Sequence, residues 1–279
     1  MPLTITQIQA LTTTQIGAFT TTQIAGFTST ELGYFTATQF SSLTTTQLSS
    51  LTSTQVKGLT TTELGGLTTT QLTGFTSTAL GGLATTQLNA LTTTVVGAIS
   101  TAQVGGLTST QVKALTSTFL NALSTTTIGN LTTTQIDSLV ALQLTRLNST
   151  QFGALTTTQL GSLTATQVKG LGTTTLGGMT TTQLTGLTTT LIGALATTQL
   201  TALSTTIISH ISTSQLDGLT SAQLGKLTST QFQVLTTTQI DSLNSTQVKG
   251  LTVTQFGVLT TTQLSSFTSA ALGGLASTR

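Results

Sequence analysis

Few residues of this chain are of the types that carry out chemistry. Its 279 residues include one histidine, five acidic residues, seven basic residues and no cysteine. The histidine, His210, follows "LSTTIIS" and has no Asp, Glu or Cys near it in the sequence. General acid–base catalysis and metal binding both need convergent partners around such a side chain. We therefore expect no catalytic, cofactor-binding or metal-binding residues, and no enzyme activity.

The charged residues recur at regular places, which raises two further possibilities. A cationic row on one face could be formed by three evenly spaced lysines: Lys57, Lys113 and Lys169. A calcium site could be suggested by three similarly placed aspartates: Asp137, Asp217 and Asp241. Calcium needs several oxygen ligands close together, and the Asp-rich glycine repeat of β-rolls is absent. Solvated surface residues are the simpler interpretation of both sets.

This regularity reflects a repeat of eight residues. From Leu3 to Gly274 the chain divides into 34 consecutive octads without insertion or deletion, and "LASTR", residues 275–279, is a partial repeat. Positions one and six of each octad are always large and apolar, as in "LTTTQIGA" and "LTSTQVKA". Because a fixed period decides the architecture, residues 3–274 are expected to form one continuous repeat solenoid.

Octad positions two and five predict how each unit folds. Position two is usually Thr, with Ser or Asn as common substitutes, and position five is Gln in 24 of the 34 octads and Glu at Glu31 and Glu63. Thr, Ser and Asn are preferred N-cap residues, and Thr-x-x-Gln/Glu is the capping box. The apolar residues at positions one and six are those that a hydrophobic staple joins. Each octad is therefore predicted to hold one very short capped helix that ends at the small residues of positions seven and eight.

A solenoid follows from the shortness of these helices. A continuous helix is excluded because eight residues advance the apolar face by about 80° beyond two full turns, which leaves no persistent stripe. Isolated short helices are unstable and must stack on their neighbours. We expect two octads per coil, or about seventeen coils in all, because departures from Gln at position five recur in every second octad in two series: Glu63, Ala79, Val95 and Thr175, Leu191, Ile207. A β-solenoid with 16-residue coils is the alternative, since Thr favours strands.

Composition narrows the possible partners. A net charge of +2 creates no basic field, so nucleic acid and anionic membranes are not expected as partners. No apolar run reaches the length of a membrane-spanning helix. The segment "MPLTITQIQA" lacks the features of a cleavable secretory signal. Tyr34 and the phenylalanines are too sparse for a nucleic-acid stacking platform.

Three Asn residues begin Asn-x-Ser/Thr sequons, which carry glycans in some secreted proteins. They are Asn130, Asn148 and Asn244. Asn148 and Asn244 stand at octad position two, where the N-cap belongs, so we expect them to bond the backbone instead.

The repeat unit resembles a known type of protein. The pattern LTxxQ[ILVF]xxL, seen in "LTTTQIGAF" (11–19) and "LTSTQVKAL" (107–115), is similar to the octapeptide arrays of bacterial proteins described as surface-exposed or adhesion-like. That resemblance covers nearly the whole chain and implies an extracellular or cell-surface scaffold without catalytic residues. The opening helix of TAL-effector repeats begins with a similar LTxxQV phrase, which favours a helix here but not DNA binding.

We therefore expect a structural protein, a rod or filament subunit. The first and last octads keep the apolar positions one and six, so each end should offer an unsatisfied stacking face and the protein should associate end to end. An adhesin-type binding module is the alternative, and ice binding by outward Thr hydroxyls is a more distant one.

Overall fold

A computed structural model describes residues 3–276 of the chain. Each of the 34 octads contains one short helix, 33 of them α-helical and one 3-10, and no strand occurs in residues 3–276. The predicted all-α solenoid is confirmed and the β-solenoid alternative is wrong. Of the partial repeat, residues 275 and 276 belong to the last helix, and the prediction for 277–279 falls outside the described residues.

The chain divides into two compact units, Met1–Leu139 and Val140–Arg279. The described helices of the first unit are α1 Ile5–Gln9, α2 Thr13–Gly17, α3 Thr21–Gly26, α4 Ser29–Leu32, α5 Ala37–Ser41, α6 Thr45–Ser49, the 3-10 helix Gln55–Gly58, α7 Thr61–Gly65, α8 Thr69–Leu72, α9 Ser77–Gly82, α10 Thr85–Leu88, α11 Thr93–Gly97, α12 Thr101–Gly105, α13 Ser109–Ala114, α14 Ser117–Ala122, α15 Thr125–Gly129 and α16 Thr133–Ser138.

The second unit has the same organisation. Its described helices are α17 Ala141–Arg146, α18 Ser149–Gly153, α19 Thr157–Gly161, α20 Ala165–Lys169, α21 Thr173–Gly177, α22 Thr181–Leu184, α23 Thr189–Ala194, α24 Thr197–Ala202, α25 Thr205–His210, α26 Thr213–Asp217, α27 Ser221–Leu224, α28 Ser229–Gln233, α29 Thr237–Asp241, α30 Ser245–Lys249, α31 Val253–Gly257, α32 Thr261–Ser265 and α33 Ser269–Ala276.

The capping box predicted from the sequence starts most helices. In the octad at 107, Thr108 has extended dihedral angles, and its hydroxyl accepts the Gln111 N–H at 3.2 Å. The Gln111 Oε1 in turn accepts the Thr108 N–H at 2.7 Å. Both hydrogen bonds satisfy backbone N–H groups that a helix start otherwise leaves unpaired. Where position two is Ala or Val, as at Ala84, the hydroxyl is lost but the Gln half of the box remains.

Glycine is not used for left-handed turns in residues 3–276. No residue there has a positive φ. Helices end in right-handed or extended residues, and the next Thr N-cap is itself extended, as at Leu115 and Thr116. The chain thus passes from one helix to the next through extended residues, and the glycines at positions seven and eight are not needed for left-handed turns.

One turn of the solenoid contains three octads, not two. Within each unit, helices pack against the third helix along the chain, as α2 does on α5 and α26 on α29. The prediction of two octads per coil, which was based on substitutions in every second octad, is therefore wrong. Three short helices surround a shared interior that receives two apolar residues from every octad, whereas two helices would leave one side of it open to water.

The apolar positions fill this interior. Side chains at positions one and six are buried throughout the interior turns of both units. Near the first residues, Phe19, Phe27 and Phe35 pack edge to face with ring centroids 5.6 and 5.4 Å apart, which is a favoured aromatic geometry. Position five is buried as well from Glu31 onward, although it is usually Gln.

Candidate functional site

The residues singled out for catalysis or metal binding do not converge. His210 is exposed at the end of α25, with its Nδ1 atom 2.8 Å from the Thr206 carbonyl oxygen and 3.1 Å from the Ser209 hydroxyl. Residues 3–276 contain no group of three His, Cys, Asp or Glu side chains that could hold a metal ion. Over the same span, no helix is long and apolar enough to cross a membrane.

The three evenly spaced lysines are exposed, Lys57 and Lys113 in the first unit and Lys169 in the second. Lys57 and Lys113 belong to different helix stacks, because their interval of seven octads is not a whole number of three-octad turns. These two lysines therefore do not form a row on one face.

The aspartates also lie on the surface. Asp137 is exposed in the first unit, and Asp217 and Asp241 are exposed on adjacent turns of one stack in the second. Asp241 borders a shallow groove with Thr237 and Ser265.

Two of the three sequon asparagines are confirmed as N-caps. Asn148 Oδ1 accepts the Gln151 N–H at 2.9 Å, and Asn244 Oδ1 accepts the Gln247 N–H at 3.0 Å. Asn130 is exposed at the end of α15, where its Nδ2 donates to the Thr126 carbonyl at 2.8 Å.

The side chain with the most structural partners is the position-five glutamine. Its Oε1 belongs to the capping box, and its Nε2 donates to the backbone of the preceding turn. Gln111 Nε2, for example, lies 3.1 Å from the Leu80 carbonyl oxygen and 2.7 Å from that of Leu83. Each of the equivalent residues named below likewise donates to a position-one carbonyl of the preceding turn.

We call these residues the inter-turn glutamines. Those in the first unit are Gln39, Gln47, Gln55, Gln71, Gln87, Gln103, Gln111 and Gln135. Those in the second unit are Gln183, Gln199, Gln215, Gln223, Gln231, Gln239, Gln247, Gln255 and Gln263. Each amide therefore ties one turn to the previous one while it caps its own helix.

Sequence reasoning found the first role of these glutamines and missed the second. A capping box accepts Gln or Glu equally well, yet Gln outnumbers Glu by 24 to 2 at position five. That imbalance is the sequence signal for the second role, because an amide supplies both an acceptor and a donor, whereas an ionised carboxylate only accepts.

In the first and last turns, groups that form the inter-turn hydrogen bonds elsewhere have no partner among the described residues. Gln7, Gln15 and Gln23 are exposed, and their Nε2 atoms bond no carbonyl of a preceding turn within residues 3–276. At the other end, the carbonyls of Leu259 and Phe267 receive no glutamine amide from the described residues. Unlike interior turns, the last turn also exposes position-six side chains, with Leu264 at 42% and Leu272 at 39%.

The two position-five glutamates lie in opposite electrostatic settings. Glu31 Oε2 accepts the Thr28 N–H at 2.8 Å, and its Oε1 accepts the Leu3 N–H at 2.6 Å. The Thr28 hydrogen bond, aided by the Leu3 N–H and opposed by burial, lowers the pKa of Glu31 below its ordinary value of 4.5. Ionised Glu31 thus contributes stability above pH 4.5, and this contribution is lost as the pH falls through its folded pKa.

Glu63 is buried without such compensation. Its Oε2 takes the capping role with Thr60, but its Oε1 is buried and has no hydrogen-bond partner. Burial raises the pKa of Glu63 above 4.5, against the lowering effect of the Thr60 hydrogen bonds.

Comparison with known proteins supports the repeat assignment. The family model described as the ALTTAQ repeat matches residues 82–117 and 192–229. Both segments lie inside the octad array, and they contain the similar octads "LATTQLNA" at 83 and "LATTQLTA" at 195. No curated protein matches the chain significantly.

Proposed function

We propose that this chain is a non-catalytic structural protein that polymerises head to tail into a filament. The proposal rests on one observation: the glutamine amides of the first turn and the backbone carbonyls of the last turn lack the inter-turn hydrogen bonds that interior turns form. In interior turns, the inter-turn glutamines meet carbonyls of the preceding turn. Within residues 3–276, the amide donors of the first turn and the carbonyl acceptors of the last turn have no such partner.

The polar groups of the two faces are complementary. The first turn offers the amides of Gln7, Gln15 and Gln23, and the last turn offers carbonyls such as those of Leu259 and Phe267. A second copy of the chain therefore supplies acceptors of the kind that the inter-turn glutamines use. Each neutral hydrogen bond of this type contributes roughly 0.5–1.5 kcal/mol.

The apolar groups are complementary in the same way. Leu3 on the first turn is 39% exposed, whereas the last turn exposes Leu264, Leu272 and Leu275 by 38–42%. Position-one and position-six side chains bury each other between interior turns, so stacking of two copies would remove these from water as well. A net charge of +2 gives little electrostatic opposition.

A head-to-tail contact that does not close into a ring propagates as a fibre. The similarity of the unit to octapeptide arrays of bacterial surface proteins supports an extracellular or cell-surface location for the assembly. No cluster of exposed aromatic or arginine side chains marks a ligand-binding hot spot on the described surface, so the structural role is preferred to that of an adhesin.

Light scattering and negative-stain microscopy over a concentration series test the proposal. The full chain should form linear assemblies whose length grows with concentration. The double change Gln15→Glu and Gln23→Glu keeps the caps but removes two donors, so it should raise the concentration needed for assembly several-fold. Leu272→Glu with Leu275→Glu should block growth at the other face.

The matched control is Val253→Glu. Val253 is 90% exposed at octad position three, on the lateral surface of the last turn, so charge there should leave assembly unchanged. On the first turn, a charge at Ile8 would not test end-to-end contact, because Ile8 is fully buried and the change would disturb the fold itself. A chain that stays monomeric at high concentration, or assemblies indifferent to both end variants, would overturn the proposal.

A further inference from the structure

The octad at 59 contains an acid where the fold requires a hydrogen-bond donor. In the inter-turn glutamines, Oε1 accepts the N-cap N–H and Nε2 donates to the preceding turn. Glu63 Oε2 accepts both the Thr60 N–H and the Thr60 hydroxyl, so it occupies the place of Oε1. Glu63 Oε1 consequently stands where the donating amide nitrogen stands in other octads.

The register of the fold identifies the groups that this oxygen meets. Inter-turn glutamines donate to carbonyls 28 and mostly 31 residues earlier, as Gln39 does to Leu11 and Ile8. The equivalent carbonyls for Glu63 belong to Phe35 and Leu32. Both are acceptors, and an ionised carboxylate is an acceptor as well. An anion there would face like partial charges in a buried setting, which is strongly unfavourable.

We propose that Glu63 is a neutral carboxylic acid in the folded protein over a range of pH in which an exposed glutamate is ionised, and that its Oε1–H donates a hydrogen bond to the preceding turn that is lost when the acid ionises. The buried Oε1 without a partner is the group that carries this proton. When Glu63 ionises, the proton leaves to solvent, the donor is lost, and the contact of this octad with the octad at 35 weakens.

No nearby charge can substitute for the proton. The octads packed against α7, at residues 35–42 and 83–90, contain no titratable side chain. Along the chain, the preceding octad supplies Lys57, which is exposed, and residues 67–74 hold no charge. Glu31 lies in the octad at 27, whose helix packs against the 3-10 helix, and its own oxygens are used by Thr28 and Leu3.

The pH dependence has a defined sign. Because the folded pKa of Glu63 lies above its unfolded value, its contribution to stability is complete below pH 4.5 and is lost as the pH rises through the folded pKa. Glu31 acts in the opposite direction and over a lower range of pH. The two glutamates can therefore be separated by titration.

Two measurements on the full chain test the proposal. A ¹³C-carboxyl NMR titration should assign to Glu63 a midpoint above 4.5, and the signal should vanish in Glu63→Gln. In urea denaturation, Glu63→Gln should raise the unfolding midpoint at neutral pH and make it less dependent on pH. Glu31→Gln is the matched control, and it should lower or leave unchanged the neutral-pH midpoint because it removes an acceptor.

The proposal is overturned if Glu63 titrates at or below 4.5, which would mean that solvent or a cation satisfies the ionised Oε1. It is also overturned if Glu63→Gln is no more stable than the parent at neutral pH. The NMR result needs no variant, so a Gln variant that fails to fold cannot leave the question open.

Discussion

At the scale of single residues, the position-five glutamine explains more of this fold than any apolar side chain does. Leu, Ile, Val and Phe exchange freely at position six, as expected where only volume and hydrophobicity matter. The glutamine must instead satisfy a local N–H and a distant carbonyl simultaneously. Buried amides without partners are costly, so the residue specifies the register between turns.

The change Gln111→Glu tests this double role. The variant keeps the acceptor for the Thr108 N–H but loses the donor to the Leu80 and Leu83 carbonyls, so it should destabilise the protein by about 1–3 kcal/mol at neutral pH. Lowering the pH should recover part of the loss, because a protonated acid can donate. Chemical denaturation followed by circular dichroism measures both effects.

Gln15→Glu is the control for that experiment. Gln15 is exposed and has the same capping box, but its Nε2 bonds no preceding turn within the described residues. Its replacement should change stability by less than about 0.5 kcal/mol, as surface substitutions usually do. Equal losses for the two variants would show that the glutamine acts only as a cap.

The sequence of a single octad predicts the capping role of the glutamine Oε1 but not the inter-turn hydrogen bond of its Nε2. Oε1 bonds a residue three positions away, and that spacing is visible in any octad. The partner of Nε2 lies in a different turn, and its identity depends on how many octads form a turn. The sequence of one octad does not show how many octads form a turn. For this reason the sequence analysis predicted neither the inter-turn hydrogen bond of Nε2 nor the protonation of Glu63.

At the scale of elements, the helices are too short to be stable by themselves. Most have four to six residues, far below the roughly 12–15 at which isolated helices become even marginal. They persist because both ends are satisfied and both apolar positions are buried. The N-cap is thus a larger fraction of the stability of each element here than in a long helix.

Thr108→Val should therefore destabilise the protein by about 1 kcal/mol, since it keeps the shape of the side chain and removes the oxygen that accepts the Gln111 N–H. Thr110→Val is the matched control, because Thr110 is exposed inside the same helix and should be nearly neutral. Thermal denaturation of both variants, followed by circular dichroism, compares them. If the two shifts agree, the cap hydroxyl has no special role.

At the scale of the molecule, glycine sets how closely successive turns approach. Four pairs share the same relation, in which a Cβ on the first member would collide with the carbonyl oxygen of the second, one turn further along the chain: Gly33 and Gly58, Gly81 and Gly106, Gly193 and Gly218, Gly225 and Gly250. The first member stands at octad position seven and the second at position eight. The sequence suggested helix termination for these glycines, whereas the structure uses them for close backbone packing.

Gly250→Ala should lower stability by roughly 1–3 kcal/mol, because the new methyl group would collide with the Ser221 carbonyl. Gly257→Ala is the control. A Cβ at Gly257 meets nothing within 4 Å, so Ala should stabilise α31 by about 0.5–1 kcal/mol through its higher helix propensity. Amide hydrogen exchange should show the Gly250 defect in the adjacent turns, since repeat proteins transmit perturbations mainly to neighbours. Uniform loss of protection throughout both units would contradict this view.

The three-octad turn also constrains how such a gene can change in length. Loss of the codons for one octad between two partners of a glycine pair would shorten their separation and place them in different stacks. Each Gly would then lie opposite an unrelated residue of the next turn, and a side chain on that residue would often collide where only a hydrogen atom fits. Deletion or duplication of the codons for three whole octads would instead leave the remaining residues in their original stacks. Replication slippage in this gene should therefore be preserved preferentially in steps of three octads wherever glycine pairs are dense.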